Sequence, residues 1–222
     1  AWAALGAIAC WPWGQLRITV AALSVLFTVI DGIGLALLPR LGRSFGPVTP
    51  PLLAMALVRT GINFLLGLFW PKFTALLVVV LLQTAITAVS HYSTWFEPFD
   101  LQVTEAHLAS RKLDVGTSVH VLHISDMHLE RSTRREEALL AAVTELDLDL
   151  IVMTGDYLNL SYVHDPDAHH DARAVLGEIC QRSSCPVYAI TGSPPVDLRG
   201  VVPAVFEGLD IRWLLNEVTE LT

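Results

Sequence analysis

HVLHISDMHLE, residues 120–130, begins as an apolar strand pattern and ends with an aspartate and a histidine one residue apart, Asp126 and His128. A second apolar run of strand length, DLIVMTGD (149–156), closes in a similar way on Gly155 and Asp156. A third, CPVYAITG (185–192), runs into Ser193, and IRWLLN (211–216) is the last. Between the first two lies STRREEALLAAVTEL (132–146), with a Ser/Thr cap, Glu136 and Glu137 in its early turns and apolar residues at helical spacing. PDAHHDARAVLGEIC (166–180) predicts a helix starting near Pro166, and VVPAVFEGL (201–209) a short one. Apolar strands alternating with helices predict an α/β sheet layered by helices. Such strands end at one edge, where ligands collect, so Asp126, His128, Asp156 and Ser193 are expected to face one cleft. Upstream, FDLQVTEAHLAS (99–110) and the turn RKLDVGTS (111–118) predict a strand that forms a hairpin with VHVLHIS (119–125).

The side chains gathered at that edge suit a metal ion. Alternate residues of an extended segment point the same way, so Asp126 and His128 can grip one ion while Met127 turns into the core. Mixed carboxylate and imidazole ligation suits a borderline divalent ion, Mn, Fe or Zn, rather than calcium. Gly155 permits a sharp turn before Asp156, whose two oxygens can bridge a pair of ions. The tract HDPDAHH (164–170) follows the Asp156 strand. It reads as an exposed loop with Asp167 capping the next helix, and His123 as a packed core residue.

VLHISDMHLE followed by DLDLIVMTGDYLN resembles the first two motifs of the calcineurin-like metallophosphoesterases, in the branch with membrane-anchored members. The likeness covers about residues 99–220 and includes PVYAITG and IRWLLNEV. It implies a two-layered β-sandwich flanked by helices, a two-metal centre, and hydrolysis of phosphate mono- or diesters. By position, Asp126 and His128 would hold the first metal and Asp156 would bridge both; Asn159 falls where the family often has another Asp or Asn. The chain departs from the pattern at YAITGSPPVD (188–197). Where the family usually reads Gly-Asn-His, Gly192 is followed by Ser193 and Pro194. Proline can neither ligate nor donate a proton, and a serine hydroxyl is a poorer neutral ligand than an amide oxygen. Either the second metal site is weakened or a nearby group substitutes; Asp197 is the obvious substitute, with Ser193 and Asn159 as the other candidates. The family's later histidine motifs are expected beyond residue 222, and the opening Ala1 also reads as internal to a longer chain.

The rest of the chain has another character. Of 14 Lys and Arg and 22 Asp and Glu, residues 1–98 hold five basic and two acidic, a net +3, leaving a net −11 for the remainder. Three apolar stretches, 17–38, 51–70 and 72–90, each approach the roughly 20 residues that cross about 30 Å of hydrocarbon. The run at 1–10 reads as the end of a fourth. Asp31 and Arg59 stand at matching depths of an antiparallel helix pair and are expected to meet, with Asn63 adding a hydrogen bond. HYSTWFEPFD (91–100) carries interfacial aromatics suited to a membrane exit. Arg40 and Arg43 flank one side and Arg17 and Lys72 the other, so charge sets no orientation.

Three cysteines, Cys10, Cys180 and Cys185, exclude a disulfide framework, and unpaired thiols are the preferred reading of the last two. A domain this acidic repels polyphosphate, so no nucleic-acid partner is expected. The expected fold class is N-terminal transmembrane helices (1–98) followed by the first part of an α/β layered metallophosphoesterase-like β-sandwich domain (99–222). The expected partners are the lipid bilayer and a phosphoester substrate. The alternative is a membrane protein whose impaired domain binds metal or phosphate without turnover.

Overall fold

The computed structural model describes residues 2–43 and 46–220. The backbone divides into two units, Ala1–Phe99 and Asp100–Thr222.

The first unit is helical: α1 (Trp2–Cys10), a 3-10 segment (Trp11–Leu16), α2 (Arg17–Arg40), α3 (Thr49–Phe69) and α4 (Ala75–Trp95). Three helical stretches, Ala4–Arg40, Thr49–Phe69 and Ala75–Phe99, are long and apolar enough to cross a membrane. The expected spans coincide with α2, α3 and α4. The run at 1–10 becomes α1, whose nine residues rise only about 13 Å at 1.5 Å per residue. Gly14, at φ 54°, breaks the helix before α2.

Apolar side chains such as Ile18, Leu77 and Val89 cover the outside of this unit. Its interior holds an apolar cluster that includes Trp13, Val20 and Val79, and a buried polar network. Arg59 donates to Asp31 Oδ2 at 2.5 Å, to Thr87 Oγ1 at 2.7 Å and to the side-chain oxygen of Gln83. Thr87 Oγ1 donates onward to Asp31 Oδ1 at 2.8 Å. Gln83 Nε2 donates to Asn63 Oδ1 at 3.0 Å, and Asn63 Nδ2 to Ser24 Oγ at 2.9 Å. The expected Asp31–Arg59 pair is therefore present. Asn63, however, bonds Gln83 and Ser24, and the hydrogen-bond partners of Arg59 besides Asp31 come from α4.

The second unit is a parallel sheet with helices. Its strands are β1 (Val121–Ile124), β2 (Leu150–Met153), β3 (Val187–Ala189) and β4 (Ile211–Trp213), in that spatial order and all parallel. The crossovers carry α5 (Arg134–Glu145), α6 (Pro166–Arg182) and α7 (Val202–Phe206). Register aligns Ile124 with Met153 and Ala189, and Ile151 with Val187. These residues form one core with Leu140 and Val143 of α5, Val175, Leu176 and Ile179 of α6, and Phe206 of α7. α6 is apolar at 168, 172, 175, 176 and 179, the spacing of one helical face, and packs against both α5 and α7.

α5 starts on a capping box. The Thr133 side chain accepts from the Arg135 N–H, and Glu136 accepts from the Thr133 N–H at 2.8 Å. Thr133→Ala is expected to cost about 1 kcal/mol, the usual loss of an N-cap, measured as a shift in the chemical unfolding midpoint. The N-cap of α6 is Asp165, which accepts from the Asp167 and Ala168 N–H groups, and not Asp167, which lies in the first turn. The Ala168 N–H bond first, then the Arg131 guanidinium and the Asp167 N–H, hold the Asp165 carboxyl below its ordinary value against the opposing effect of burial.

Two further expectations fail. Residues 99–110 form no strand, and 101–119 are exposed throughout, so β1 pairs only with β2 and lies at a sheet edge. The apolar alternation there covers Leu101 and Val103 and stops at Glu105, too little to hold a strand at that edge. His123 is exposed rather than packed, because it lies on the opposite face of edge strand β1 from core residue Ile124. On that same face Val121 and Ile190 remain about half exposed. Among the described residues there is one sheet.

Candidate metal centre

Past β1 and β2 the chain continues as two segments running side by side. Thr154 N donates to Ile124 O at 3.0 Å, Asp126 N to Gly155 O at 3.2 Å, His128 N to Asp156 O at 2.9 Å and Leu129 N to Tyr157 O at 2.9 Å. Within this ladder Asp126, His128 and Asp156 sit at φ 53°, 43° and 57°. Left-handed backbone is disfavoured for residues with a Cβ and concentrates at functional sites. Only one other described non-glycine residue, Asn216, has positive φ.

These three residues place ligand atoms within 4.8 Å of one another. His128 Nε2 stands 3.7 Å from Asp126 Oδ1 and 3.8 Å from Asp156 Oδ2, too far for hydrogen bonds. Atoms bound to a common ion at about 2.1 Å lie at most about 4.2 Å apart, so small adjustments suffice for shared ligation. Neutral imidazole with two carboxylates fits a borderline divalent ion. The expected convergence holds, although its cause is not an extended segment: two left-handed residues turn Asp126 and His128 outward while Met127 between them is buried in the core.

Other groups orient these ligands. Ser193 donates its N–H to Asp156 Oδ1 at 2.6 Å and its hydroxyl to Oδ2 at 3.1 Å. Ser125 Oγ donates to Asp126 Oδ2 at 2.5 Å. Such contacts fix a carboxylate's direction around a metal.

Asp197, the proposed substitute ligand, is buried, and its oxygens already accept three backbone N–H bonds. Asp156 N and Gly192 N donate to Oδ2 at 2.8 and 2.7 Å, and Tyr157 N to Oδ1 at 3.1 Å. Ligation by Asp197 would have to displace them. Its observed work is to tie the β2 loop to the β3 loop and hold Asp156 in its left-handed conformation. Gly155 and Gly192 permit this, since a Cβ on Gly155 would overlap Gly192 and one on Gly192 would overlap Asp156. Burial, with the Asp197 charge adding, pushes the Tyr157 phenol well above its ordinary value. It therefore stays a donor, to Ile190 O at 2.6 Å.

Asn159 is engaged as well: its amide donates to Glu130 Oε1 at 2.8 Å and its Oδ1 accepts from Ser161 N at 2.9 Å. In the 164–170 tract, His169 Nε2 bonds Val163 O at 2.7 Å. The staple role of Asp197 escaped sequence reasoning. Its one signal was an aspartate between Val196 and Leu198 just past a Pro-Pro turn, an apolar setting in which a carboxylate needs donors.

Compared with models of known protein families, with curated proteins and with solved structures, the chain matches none.

Proposed function

We propose that the protein is a multi-pass membrane protein whose acidic unit is a divalent-metal-dependent phosphoesterase. Its substrates would be phosphate mono- or diesters, lipid-linked ones included. The observation that carries this reading is the convergence of Asp126, His128 and Asp156 on strained backbone at the carboxyl edge of a parallel sheet. The resemblance of VLHISDMHLE and MTGD to the calcineurin-like motifs supports it, and with it the β-sandwich, of which the four-stranded sheet would be one layer.

In this reading Asp126, His128 and Asp156 would hold the ion, with Asp156 the residue shared with a second one. Ser125 and Ser193 fix the carboxylates. A divalent ion supplies Lewis acidity toward a phosphoryl oxygen and offsets the acidic unit's repulsion of an anionic substrate. With Pro194 where the family has its histidine, the protonation of a leaving group falls to another residue or to solvent.

The second reading, metal or phosphate binding without turnover, is favoured by that proline and by the engagement of the Asp197 oxygens. One assay separates the two. The full-length protein in detergent, with Mn present, is expected to hydrolyse a generic aryl phosphodiester, and Asp156→Asn to abolish this. Turnover surviving in that variant excludes the proposed centre, whereas a bound ion with no turnover on mono- and diesters supports the second reading.

A further inference from the structure

The helical unit contains a cavity of about 400 Å³ lined by α2 and α4. Ile30, Ile33 and Leu37 contribute from α2, His91 and Trp95 from α4, and Phe96 from the residue that follows α4. Gly34 lies between them, and a Cβ there would overlap the His91 ring. Ile33 and Leu37 are exposed on the outer surface, so the cavity is an apolar groove open to the side. At the lower end of the roughly 300–1,000 Å³ typical of ligand sites, it holds part of an acyl chain and not a whole lipid.

At the Trp95 end stands Arg43. It donates to Trp95 O at 2.6 Å, and its guanidinium lies 5.5 and 5.4 Å from the Trp95 and Phe99 ring centroids. This cation is held in place. Among the described residues no carboxylate pairs with Arg43 or with Arg40, which closes α2, whereas Arg59 is neutralised by Asp31. Trp95, Phe96 and Tyr92 are the aromatics that mark a headgroup level. A fixed guanidinium with no ion-pair partner among the described residues, beside an apolar groove at that level, complements a phosphate with a hydrocarbon tail, and the guanidinium fork matches phosphate oxygens.

We propose that the α2–α4 groove binds an anionic phospholipid, with one acyl chain against Ile30, Ile33 and Leu37 and its phosphate paired with Arg43. Arg40 adds to the attraction. The site rests on the membrane part of the proposed function and is independent of the metal centre. Its preference is for anionic over zwitterionic lipid, because a choline group brings a second cation to the two arginines.

The test reconstitutes the full chain into nanodiscs of phosphatidylcholine doped with phosphatidylglycerol and counts retained lipids by native mass spectrometry. The wild type is expected to retain phosphatidylglycerol selectively. Arg43→Gln should lower that selectivity about fivefold, the effect of one basic residue at an anionic surface. Ile33→Trp, which fills the groove from an exposed position, should lower retention of both lipids. Arg17→Gln, at the other end of α2, should change nothing. Equal retention of the two lipids by the wild type, or unaltered selectivity in Arg43→Gln, overturns the site. Failure of the membrane reading itself would appear separately, as a chain that alkaline carbonate strips from vesicles.

Discussion

Asp31→Asn, with Arg59 left in place, is expected to destabilise the helical unit by about 3 kcal/mol or more, because it strands a buried charge. The Asp31 and Arg59 side chains are 0 % and 2 % exposed, so no solvent is available to take over. Arg59→Gln should cost a similar amount by stranding Asp31. Ordinary interhelical hydrogen bonds in membranes average only about 0.6 kcal/mol, so the effect of charge dominates that of the bonds to Thr87 and Gln83. The double variant restores neutrality and keeps polar partners for Gln83 and Thr87. It is expected to be more stable than the sum of the singles by about 1–3 kcal/mol. Unfolding in mixed micelles titrated with a denaturing detergent reads all three, and strict additivity would show that the pair is not coupled.

Asp197→Ala carries the other large effect. It leaves three backbone N–H groups without their acceptor, each bond to a charged group being worth about 1.5–3 kcal/mol. Water recovers part of this, because Asp156 lies at the cleft, so the expected loss is about 3–5 kcal/mol in chemical unfolding. Metal affinity should fall about 10–100-fold, the usual result of removing a group that orients a ligand, since Asp156 loses the carboxylate that holds its backbone. The two readouts separate the possible roles. A ligand aspartate would lose metal and keep stability, a turn-forming aspartate would lose neither, and the observed staple requires both to fall together.

Much of this arrangement is legible in the sequence because it rests on periodicity and composition. LIVM and VYA are strands because they are short apolar runs bounded by turn residues, and α5 announces itself through Thr133 and Glu136. The spans follow from apolar length, and the Asp31–Arg59 pair from the cost of leaving either charge alone in hydrocarbon. What escapes depends on tertiary context. The left-handed backbone at Asp126, His128 and Asp156 is imposed by the hydrogen bonds between the two segments, and no local propensity encodes it. Asp197 and Asp165 act through N–H groups whose positions only the fold defines. His123 sits in an apolar run, yet strand order makes β1 an edge and exposes it. The 99–110 segment shows enough alternation to suggest a strand, and only the sheet shows that nothing pairs with it.

The most direct test of the metal centre is a Mn titration followed by electron paramagnetic resonance, where bound ion leaves the free aqueous signal. The wild-type protein is expected to show saturable binding, with Asp126→Asn, His128→Ala and Asp156→Asn each weakening it at least about tenfold while the chain stays folded. No saturable binding in the wild type, or wild-type affinity retained in Asp156→Asn, would contradict a metal site at these three residues.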